Sequence, residues 1–356
     1  MGINIGLLDI DSKLPNLALM KISSYYKSLG VPVEFVQPDR KEKYSKIYAS
    51  SIFSKNLPAC QDLVQEYGDR IEIGGSGFDL HKKLPSEIES MQPDYSLYSS
   101  ELLYPRIKGI MKRETRMNKA ITIVNAGIGF SSRGCVRKCP FCLVWQKEGS
   151  FHQASEIKDL LSPKSNVLIL NDNNLTADPF CVDKLQEIRD RNLVLDINQG
   201  IDIRLVSDDI GIALSQVRHL RSIHYSWDLM CFENQVLQGI KLLSKYIKPY
   251  RHMVFLLVGF NTSFEEDMYR VNILREMGVK PYIMVMDDNV QFDVRLAHFE
   301  RWVNSSIYKI KSFEEYHPWL RAQRNMDLER LKLQQRFIKQ QLRFKPQRMK
   351  QLCFAY

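Results

Sequence analysis

Residues Ala120–Cys142 read AITIVNAGIGFSSRGCVRKCPFC, an apolar run followed at once by a loop that carries three cysteines. The β-branched residues that open this stretch predict a strand over Ala120–Ile128. The thiols of Cys135, Cys139 and Cys142 then follow with Cys-x3-Cys-x2-Cys spacing. Because the loop follows a predicted strand, we expect it at the carboxyl end of that strand, the edge where α/β sheets and barrels carry their active sites.

Clustered thiolates are ligands for zinc or for an iron–sulfur cluster. A structural zinc site needs a fourth ligand, which His152 could supply, and the ferredoxin run has a different order of gaps and a fourth cysteine. The next cysteine in this chain is Cys181. Three protein ligands on a four-iron cluster would leave one iron open to a substrate or a cofactor. On spacing alone, a cluster, a zinc site and a set of ordinary buried thiols all stay open.

With Phe141 before the third cysteine, the run resembles the Cys-x3-Cys-x-aromatic-Cys signature of the radical S-adenosylmethionine (SAM) superfamily. The resemblance implies that Cys135, Cys139 and Cys142 hold a [4Fe–4S] cluster whose open iron is chelated by the amino and carboxylate groups of SAM. It also implies that one electron from the cluster cleaves SAM to methionine and a 5′-deoxyadenosyl radical, with a protein such as flavodoxin or ferredoxin as the electron donor.

The composition agrees with a soluble enzyme. The chain has 356 residues, enough for two domains or one large barrel with additions. Its seven cysteines, an odd number with three in one loop, do not resemble a disulfide framework. We find neither an apolar run of membrane-spanning length nor the features of a signal peptide at the N-terminus. Because an oxygen-sensitive cluster suits a reducing compartment, we expect a cytoplasmic protein that does not act in a membrane.

The first part of the chain alternates between strand and helix patterns, which predicts a Rossmann-like, doubly wound parallel domain over residues 1–115. The predicted strands are Ile3–Ile10, Val33–Val36, Ile47–Ala49 and Ile71–Ile73, with a helix at Pro15–Leu29. This segment is similar to the cobalamin-binding-type domain that precedes the barrel in one large group of radical SAM enzymes.

The usual Asp-x-His-x-x-Gly motif of that domain, which supplies the histidine ligand to cobalt, is missing. Asp9 and Asp11 are followed by no histidine until His81, beyond the glycine turn at Gly74–Gly77. Cobalamin would therefore bind without a histidine ligand, or the domain has lost it. We favour loss.

After a mixed linker at Leu84–Arg116, the alternation resumes and predicts a partial TIM-type (β/α)6 radical SAM barrel over residues 116–290. The six predicted strands are Ala120–Ile128, Val167–Leu170, Val194–Asn198, Ser222–Trp227, His252–Val258 and Pro281–Met286. The predicted helices are Ser155–Leu161, Pro179–Asp190, Asp208–Val217, Glu233–Tyr246 and Ser263–Met277. Residues 291–356 are expected to form a helical, basic C-terminal extension.

The resemblance places further cofactor-binding residues at the carboxyl ends of the predicted strands. Asn171 and Asp172 follow the second strand, where polar groups meet the ammonium of SAM in this superfamily. Arg204 follows the third strand and could pair with the carboxylate of SAM. Gly259 and Asn261, after the fifth strand, resemble the turn that contacts SAM.

Two of these assignments have a structural alternative. Asn171–Asn174 could be an Asx-rich turn with no ligand, and Arg204 could simply pair with Asp202. Asp228 closes the fourth strand and is a candidate for substrate contact, and Asp287–Asn289 forms another polar rim after the sixth strand. The sequence assigns no catalytic residue and leaves the substrate and the net reaction open.

The C-terminal segment carries most of the excess positive charge of the chain. Residues 321–350 hold ten basic and two acidic side chains, a local charge of +8 out of the total of +9. A helix over Trp319–Arg343 could contact the phosphates of RNA or DNA, as in a nucleic-acid methyltransferase or methylthiotransferase. A solvated helix face is the simpler interpretation. A zinc-stabilised binding or scaffold protein is the alternative outside enzymes.

Overall fold

The computed structural model describes residues 3–109, 111–286 and 294–316. These residues belong to two units with α/β structure and parallel strands, which confirms the predicted fold class at that level. The first unit runs to Gly134 and resumes at Leu143–Asn171, whereas the second contains Cys135–Cys142 and continues from Asp172. The predicted division into 1–115, 116–290 and 291–356 has different limits and stays a prediction.

The first unit contains a four-stranded parallel sheet with the strand order β2-β1-β3-β4. Its strands are β1 (Ile5–Asp9), β2 (Val33–Phe35), β3 (Lys46–Ser50) and β4 (Ile71–Gly74), all close to their predicted positions. Apolar residues cover the sheet because parallel strands are normally buried on both faces.

Two helices supply that cover. Helix α1 (Leu17–Ser28) places Leu19 and Ile22 in one core cluster with β1. Helix α2 (Leu57–Tyr67), which was not predicted, contributes to the other cluster, which includes residues of β3 and β4.

The Asp11 carboxylate is a hub of hydrogen bonds at the carboxyl edge of this sheet. It accepts hydrogen bonds from the backbone N–H groups of Ile52 (2.7 Å) and Phe53 (2.9 Å) and from the side chains of Asn56 (2.7 Å) and Ser51 (3.0 Å). Burial by itself raises the pKa of Asp11, but these donors outweigh burial and lower the pKa from 3.8. The loop after β3 is thereby fixed against the end of β1.

The glycine turn after β4 packs against the same loop. Gly75 has a φ of +95°, and a Cβ at this position would collide with the carbonyl oxygen of Ser51. The backbone N–H of Gly77 donates to that carbonyl at 3.0 Å. The turn therefore fits tightly against its own chain, which is the plain-turn interpretation of this glycine run.

The predicted linker at Leu84–Arg116 contains buried structure. Two short helices, α3 (Ser86–Glu89) and α4 (Ser100–Leu103), lie within it. The side chains of Tyr98, Leu103 and Ile107 are buried in one hydrophobic cluster, so this segment contributes to the core of the first unit.

The predicted strand at Ala120–Ile128 is wrong over most of its length. Residues Arg113–Asn125 form helix α5, and strand β5 covers only Gly127–Gly129. Ala120 and Val124 are buried whereas Ile121 is 42% exposed, which is the four-residue spacing of a helix face. Packing of that face outweighs the modest helix penalty of β-branched residues.

After helix α5, the first unit contains four strands, one short helix and a 3₁₀ turn. Strand β5 pairs in parallel with β8 (Val167–Leu170), whose bounds match the prediction. Strands β6 (Ser132–Arg133) and β7 (His152–Gln153) are antiparallel, and helix α6 covers Val144–Lys147. The predicted helix Ser155–Leu161 is only a 3₁₀ turn at Ile157–Leu160.

The second unit continues the strand–helix alternation. Strands β9 (Val194–Ile197) and β10 (Arg218–His219) are parallel, as are β11 (Ile223–Ser226), β12 (His252–Val258) and β13 (Lys280–Val285), which form one sheet. The intervening helices are α7 (Cys181–Asp190), α8 (Asp208–Gln216), α9 (Glu233–Ser244) and α10 (Phe264–Glu276), each near its predicted range.

Two further helices, Val294–Asn304 and Phe313–Tyr316, belong to the predicted C-terminal extension. Their aromatic side chains pack together, with ring centroids of Phe299 and Phe313 5.8 Å apart. The predicted polar rim at Asp287–Asn289 and the basic helix at Trp319–Arg343 lie outside the described residues. Across the described ranges, none of the helices has the length and apolar character needed to cross a bilayer.

We expect Asp11→Asn to lower the free energy of unfolding by about 1–3 kcal/mol at pH 7, because it removes a charged acceptor from four donors. The folded-state pKa of Asp11 is depressed, so its carboxylate stabilises the fold above the unfolded pKa. That stabilisation is lost as the pH falls through the folded-state pKa. Urea unfolding between pH 7 and pH 3 should therefore show a weaker acid dependence in the variant.

The matched control is Asp79→Asn, since the exposed Asp79 carboxylate accepts only from the nearby N–H groups of His81 and Lys82. We expect this variant to unfold as the unmodified chain does. Equal urea midpoints and equal acid dependence for the two variants would contradict the role of Asp11.

Candidate functional site

A short antiparallel stem brackets the cysteine loop in the sequence. Ser132 and Arg133 of β6 pair with Gln153 and His152 of β7. Gly134 follows β6 with a φ of +77°, and a Cβ there would collide with the carbonyl oxygen of Ser150. Only glycine meets both requirements without strain, so the glycine before the first cysteine is explained by backbone geometry.

His152, the residue considered as a fourth zinc ligand, is exposed on β7. Its Nδ1 lies 3.0 Å from the carbonyl oxygen of Ser150. Next to it in the stem, the guanidinium of Arg133 lies over the ring of Phe130, 4.1 Å from its centroid, and forms ion pairs with Glu89 and Glu148.

The three thiols are half-buried in the second unit. The backbone N–H of Arg137 donates to Cys135 Sγ at 3.4 Å, and the N–H of Cys142 donates to the carbonyl of Cys139 at 3.0 Å. The three thiols are close enough to influence one another. Burial is the main cause that raises the pKa of Cys139 to about 11, Cys142 and Cys135 add to the increase, and the positive charge of Arg204 opposes it.

One carboxylate connects the cysteine loop with the loop after β9. Asp202 accepts from Arg137 Nε at 3.1 Å and pairs in a bidentate manner with Arg204, through Nε at 2.7 Å and Nη2 at 2.9 Å. Burial opposes ionisation of Asp202, but the two guanidinium groups prevail and lower its pKa. The predicted structural alternative for Arg204, a pair with Asp202, is therefore present.

A second connection reaches the first cysteine from the turn after β8. Asn174 Nδ2 donates to Cys135 Sγ at 3.4 Å, and Thr176 Oγ1 lies 3.1 Å from Asn174 Oδ1. Thr176 Oγ1 also accepts from the backbone N–H of Asp202 at 3.0 Å. No ligand-binding role was predicted for Arg137, Asn174 or Thr176. The only local signal was a run of turn-forming polar residues after a buried strand.

The aromatic residue of the cysteine motif meets the loop after β12. The rings of Phe141 and Phe260 are edge-to-face with centroids 5.6 Å apart. Phe260 lies between the two predicted SAM contacts, Gly259, which has a φ of +74°, and Asn261. Within the described residues, Asn261 Oδ1 is a buried oxygen without a hydrogen-bond partner. The structure therefore brings Phe141 to this predicted turn.

Buried polar groups stabilise the loop after β12. Arg270 is fully buried and donates to the carbonyl oxygens of Trp227 (2.6 Å) and Leu257 (2.9 Å) and to Asp267. A capping box begins helix α10, because Ser263 and Glu266 each accept from the backbone N–H of the other. The loop is thus tied to the ends of β11 and β12.

The two polar residues predicted after β8 differ in their surroundings. Asn171 is half-buried in the first unit, and its N–H donates to the carbonyl of Gly129 at 2.8 Å. Asp172 is fully buried in the second unit. Burial, together with Asp178 and Asp172, raises the pKa of Cys181 to about 12.

Asp228 follows β11 and accepts from the backbone N–H of Leu257 at 3.3 Å. Burial raises its pKa, although the charges of Arg270 and Arg204 oppose the change. Its own charge contributes to the raised pKa of Cys139, so this carboxyl lies within electrostatic reach of the thiols. Cys231, which follows β11 in the chain, is exposed.

These residues agree chemically with a cluster or a metal ion that requires thiolate ligands. Three cysteine sulfurs form the donor set. Two N–H groups donate to Cys135 Sγ, and the guanidinium of Arg204 lies within electrostatic reach of Cys139. Among residues 3–109, 111–286 and 294–316, no three His, Cys, Asp or Glu side chains are already arranged to hold a metal ion.

Comparison with known proteins adds no identification. The chain matches no protein-family model, and no curated protein is significantly similar to it.

We expect Gly134→Ala to open the stem between β6 and β7, because it adds a steric collision to an unfavourable φ. The matched control is Gly149→Ala, at a φ of +75° with no atom within 4 Å of the added Cβ. The control should cost about 1 kcal/mol, the usual penalty for a left-handed non-glycine residue. Hydrogen exchange of the β6 and β7 amides measures the difference, and equal exchange in both variants would contradict the steric argument.

Proposed function

We propose that this protein is a radical SAM enzyme that acts on an unidentified substrate, with a Rossmann-like first domain and a partial (β/α)6 barrel. The observation that carries the proposal is the grouping of Cys135, Cys139 and Cys142, with Phe141, beside Arg204 and Asp228. The motif spacing supports iron–sulfur ligation, and the positive charge beside the thiols supports binding of an anionic group.

In this proposal Cys135, Cys139 and Cys142 hold a [4Fe–4S] cluster and leave one iron for SAM. When bound, the cluster supplies the electron that cleaves SAM to methionine and a 5′-deoxyadenosyl radical. The donors to Cys135 Sγ, Arg137 N–H and Asn174 Nδ2, would stabilise the thiolate and orient it.

Arg204 is the residue we propose for the carboxylate of SAM. Its Nε and Nη2 atoms are used by Asp202, so Nη1 is the atom that would meet the ligand. The guanidinium of Arg204 lies over the ring of Phe232, with Cζ 4.6 Å from the ring centroid, and this contact helps to fix the plane of the guanidinium. In the loop after β12, which Phe141 contacts, the backbone at Gly259 and the buried Asn261 Oδ1 would accept hydrogen bonds from the adenosyl part of SAM.

We propose that the first unit works without cobalamin. No histidine follows Asp9 or Asp11 before His81. At the carboxyl edge of its sheet, the Asp11 carboxylate accepts from the loop after β3, and the turn at Gly75 packs against that loop. The proposal also includes a reducing, cytoplasmic setting and a protein electron donor, because an oxygen-sensitive cluster needs both.

Anaerobic reconstitution with iron and sulfide tests the proposal. We expect about four iron and about four sulfide per chain, and release of 5′-deoxyadenosine and methionine when SAM and dithionite are added. Serine substitutions at Cys135, Cys139 or Cys142 each remove a ligand. Each should lower SAM cleavage by more than the roughly 10–100-fold loss that is typical when a residue that only orients a metal ligand is removed.

Cys231→Ser is the matched control, because Cys231 is an exposed cysteine of the same unit outside the motif. It should keep the iron content and SAM cleavage of the unmodified chain. A single tetrahedral zinc on the three thiols, or a cluster that never reduces SAM, would show that the protein is not a radical SAM enzyme.

A further inference from the structure

We propose that Asp202 is a positioning residue that holds the cysteine loop in a conformation ready to bind its cluster. This inference rests on the proposed function for its purpose, and on the described contacts for its geometry. Asp202 does not act on SAM or substrate in this proposal. It acts through Arg137, which lies between the first two cysteines, and through Arg204, which lies two residues beyond Asp202 in the chain.

The Asp202 carboxylate is shared between two cations, Arg137 and Arg204. The side chain of Asp202 is only 9% exposed, and those of Arg137 and Arg204 are 28% and 16% exposed. Charge-assisted, partly buried hydrogen bonds of this kind are stronger and more directional than surface ion pairs. Because Arg204 occupies both carboxylate oxygens, the carboxylate plane is fixed, and Arg137 meets an acceptor of defined position.

The backbone of Asp202 is also hydrogen-bonded. Its N–H donates to Thr176 Oγ1 at 3.0 Å, and its carbonyl oxygen lies 3.1 Å from the same hydroxyl. Thr176 Oγ1 is also 3.1 Å from Asn174 Oδ1, and Asn174 Nδ2 donates to Cys135 Sγ. Asp202 is therefore linked to the cysteine loop at two points, Arg137 through its side chain and Cys135 through Thr176 and Asn174.

These links restrain the cysteine loop before a ligand binds. Three ligands from one loop must be held close to their bound positions, or binding must supply the free energy that orders them. Arg137 is separated by one residue from each of two predicted ligands, Cys135 and Cys139. Fixing it restrains both. The restraint comes from the unit that carries the loop, because Asp202 and Cys135–Cys142 belong to the same unit.

Hydrogen exchange of the full-length protein before reconstitution tests the restraint without relying on thiol chemistry. We expect Asp202→Asn and Arg137→Gln to speed exchange in residues 135–142 by about fivefold or more, because each removes part of the bridge that opposes local opening. Arg137→Lys should recover part of the protection. Arg137→Gln leaves the pair between Asp202 and Arg204 in place, so it tests the idea even if the Asp202 variant folds poorly.

Asp196→Asn is the matched control. Asp196 is buried on β9 and pairs with Arg221 Nε at 2.8 Å, so it resembles Asp202 in burial and partner type. We expect exchange in residues 135–142 to stay at the rate of the unmodified chain in this variant. The inference is overturned if Arg137→Gln also exchanges at that rate, or if Asp196→Asn speeds exchange as much as Asp202→Asn.

Iron and sulfide content after reconstitution separates the two proposals. If the unmodified chain takes up a cluster that cleaves SAM, and the Arg137 and Asp202 variants take up at most half as much iron and sulfide, both proposals stand. If the unmodified chain takes up no cluster, or a cluster that never cleaves SAM, the proposed function fails, whatever the exchange rates show. If the unmodified chain cleaves SAM and all variants take up the cluster fully and exchange normally, the function stands and the positioning role of Asp202 is wrong.

Discussion

The carboxylate of Asp202 is the interaction on which the candidate site depends. A buried carboxylate is costly unless its charge is compensated and its oxygens accept hydrogen bonds. Arg137 and Arg204 meet both requirements, and their combined charge exceeds that of Asp202 by one. Arg204 lies within electrostatic reach of Cys139 and opposes the rise of its pKa, although burial still raises that pKa to about 11. In our proposal the bridge restrains the loop, and Arg204 partly offsets the cost of a thiolate there.

Both units use a carboxylate near the end of a strand to organise the following loops, with different results. In the first unit the donors to Asp11 are mostly neutral backbone and amide groups, and they close the carboxyl edge of the sheet. In the second unit the donors to Asp202 include two guanidinium groups, and half-buried thiols remain beside them. The first edge also holds a charged pair, since the buried Asp9 carboxylate at the end of β1 accepts from Arg106, so the feature that distinguishes the second edge is the thiols beside its carboxylate.

Much of the fold could be predicted because buried parallel strands are short apolar runs between turn signals. Val167–Leu170 and His252–Val258 are confirmed with their predicted bounds. The run at Ala120–Asn125 was misassigned because β-branched composition resembles a strand, while its position in helix α5 is decided by the burial of Ala120 and Val124. The amino-acid composition of a segment does not show which of its side chains will be buried.

The site was less predictable for a different reason. The cysteine spacing is a local pattern and could be found directly, whereas the bridge joins residues that are 65 positions apart in the chain. Asn174 is similarly 39 positions from Cys135. Arg137 and Thr176 carry no local signal of a role, because their importance arises only when the loops after separate strands are folded together.

The high pKa of Cys139 has a consequence for any ligand of these thiols. A thiol with a pKa of about 11 is protonated at neutral pH, and a metal or cluster binds the thiolate. Binding must therefore displace protons, so affinity rises with pH and depends on neighbouring positive charge. Bringing three thiolates together adds mutual repulsion, and a cation or cluster is what compensates it. The raised pKa of Cys139 therefore makes ligand binding by this loop dependent on pH, whichever thiolate-requiring ligand it takes.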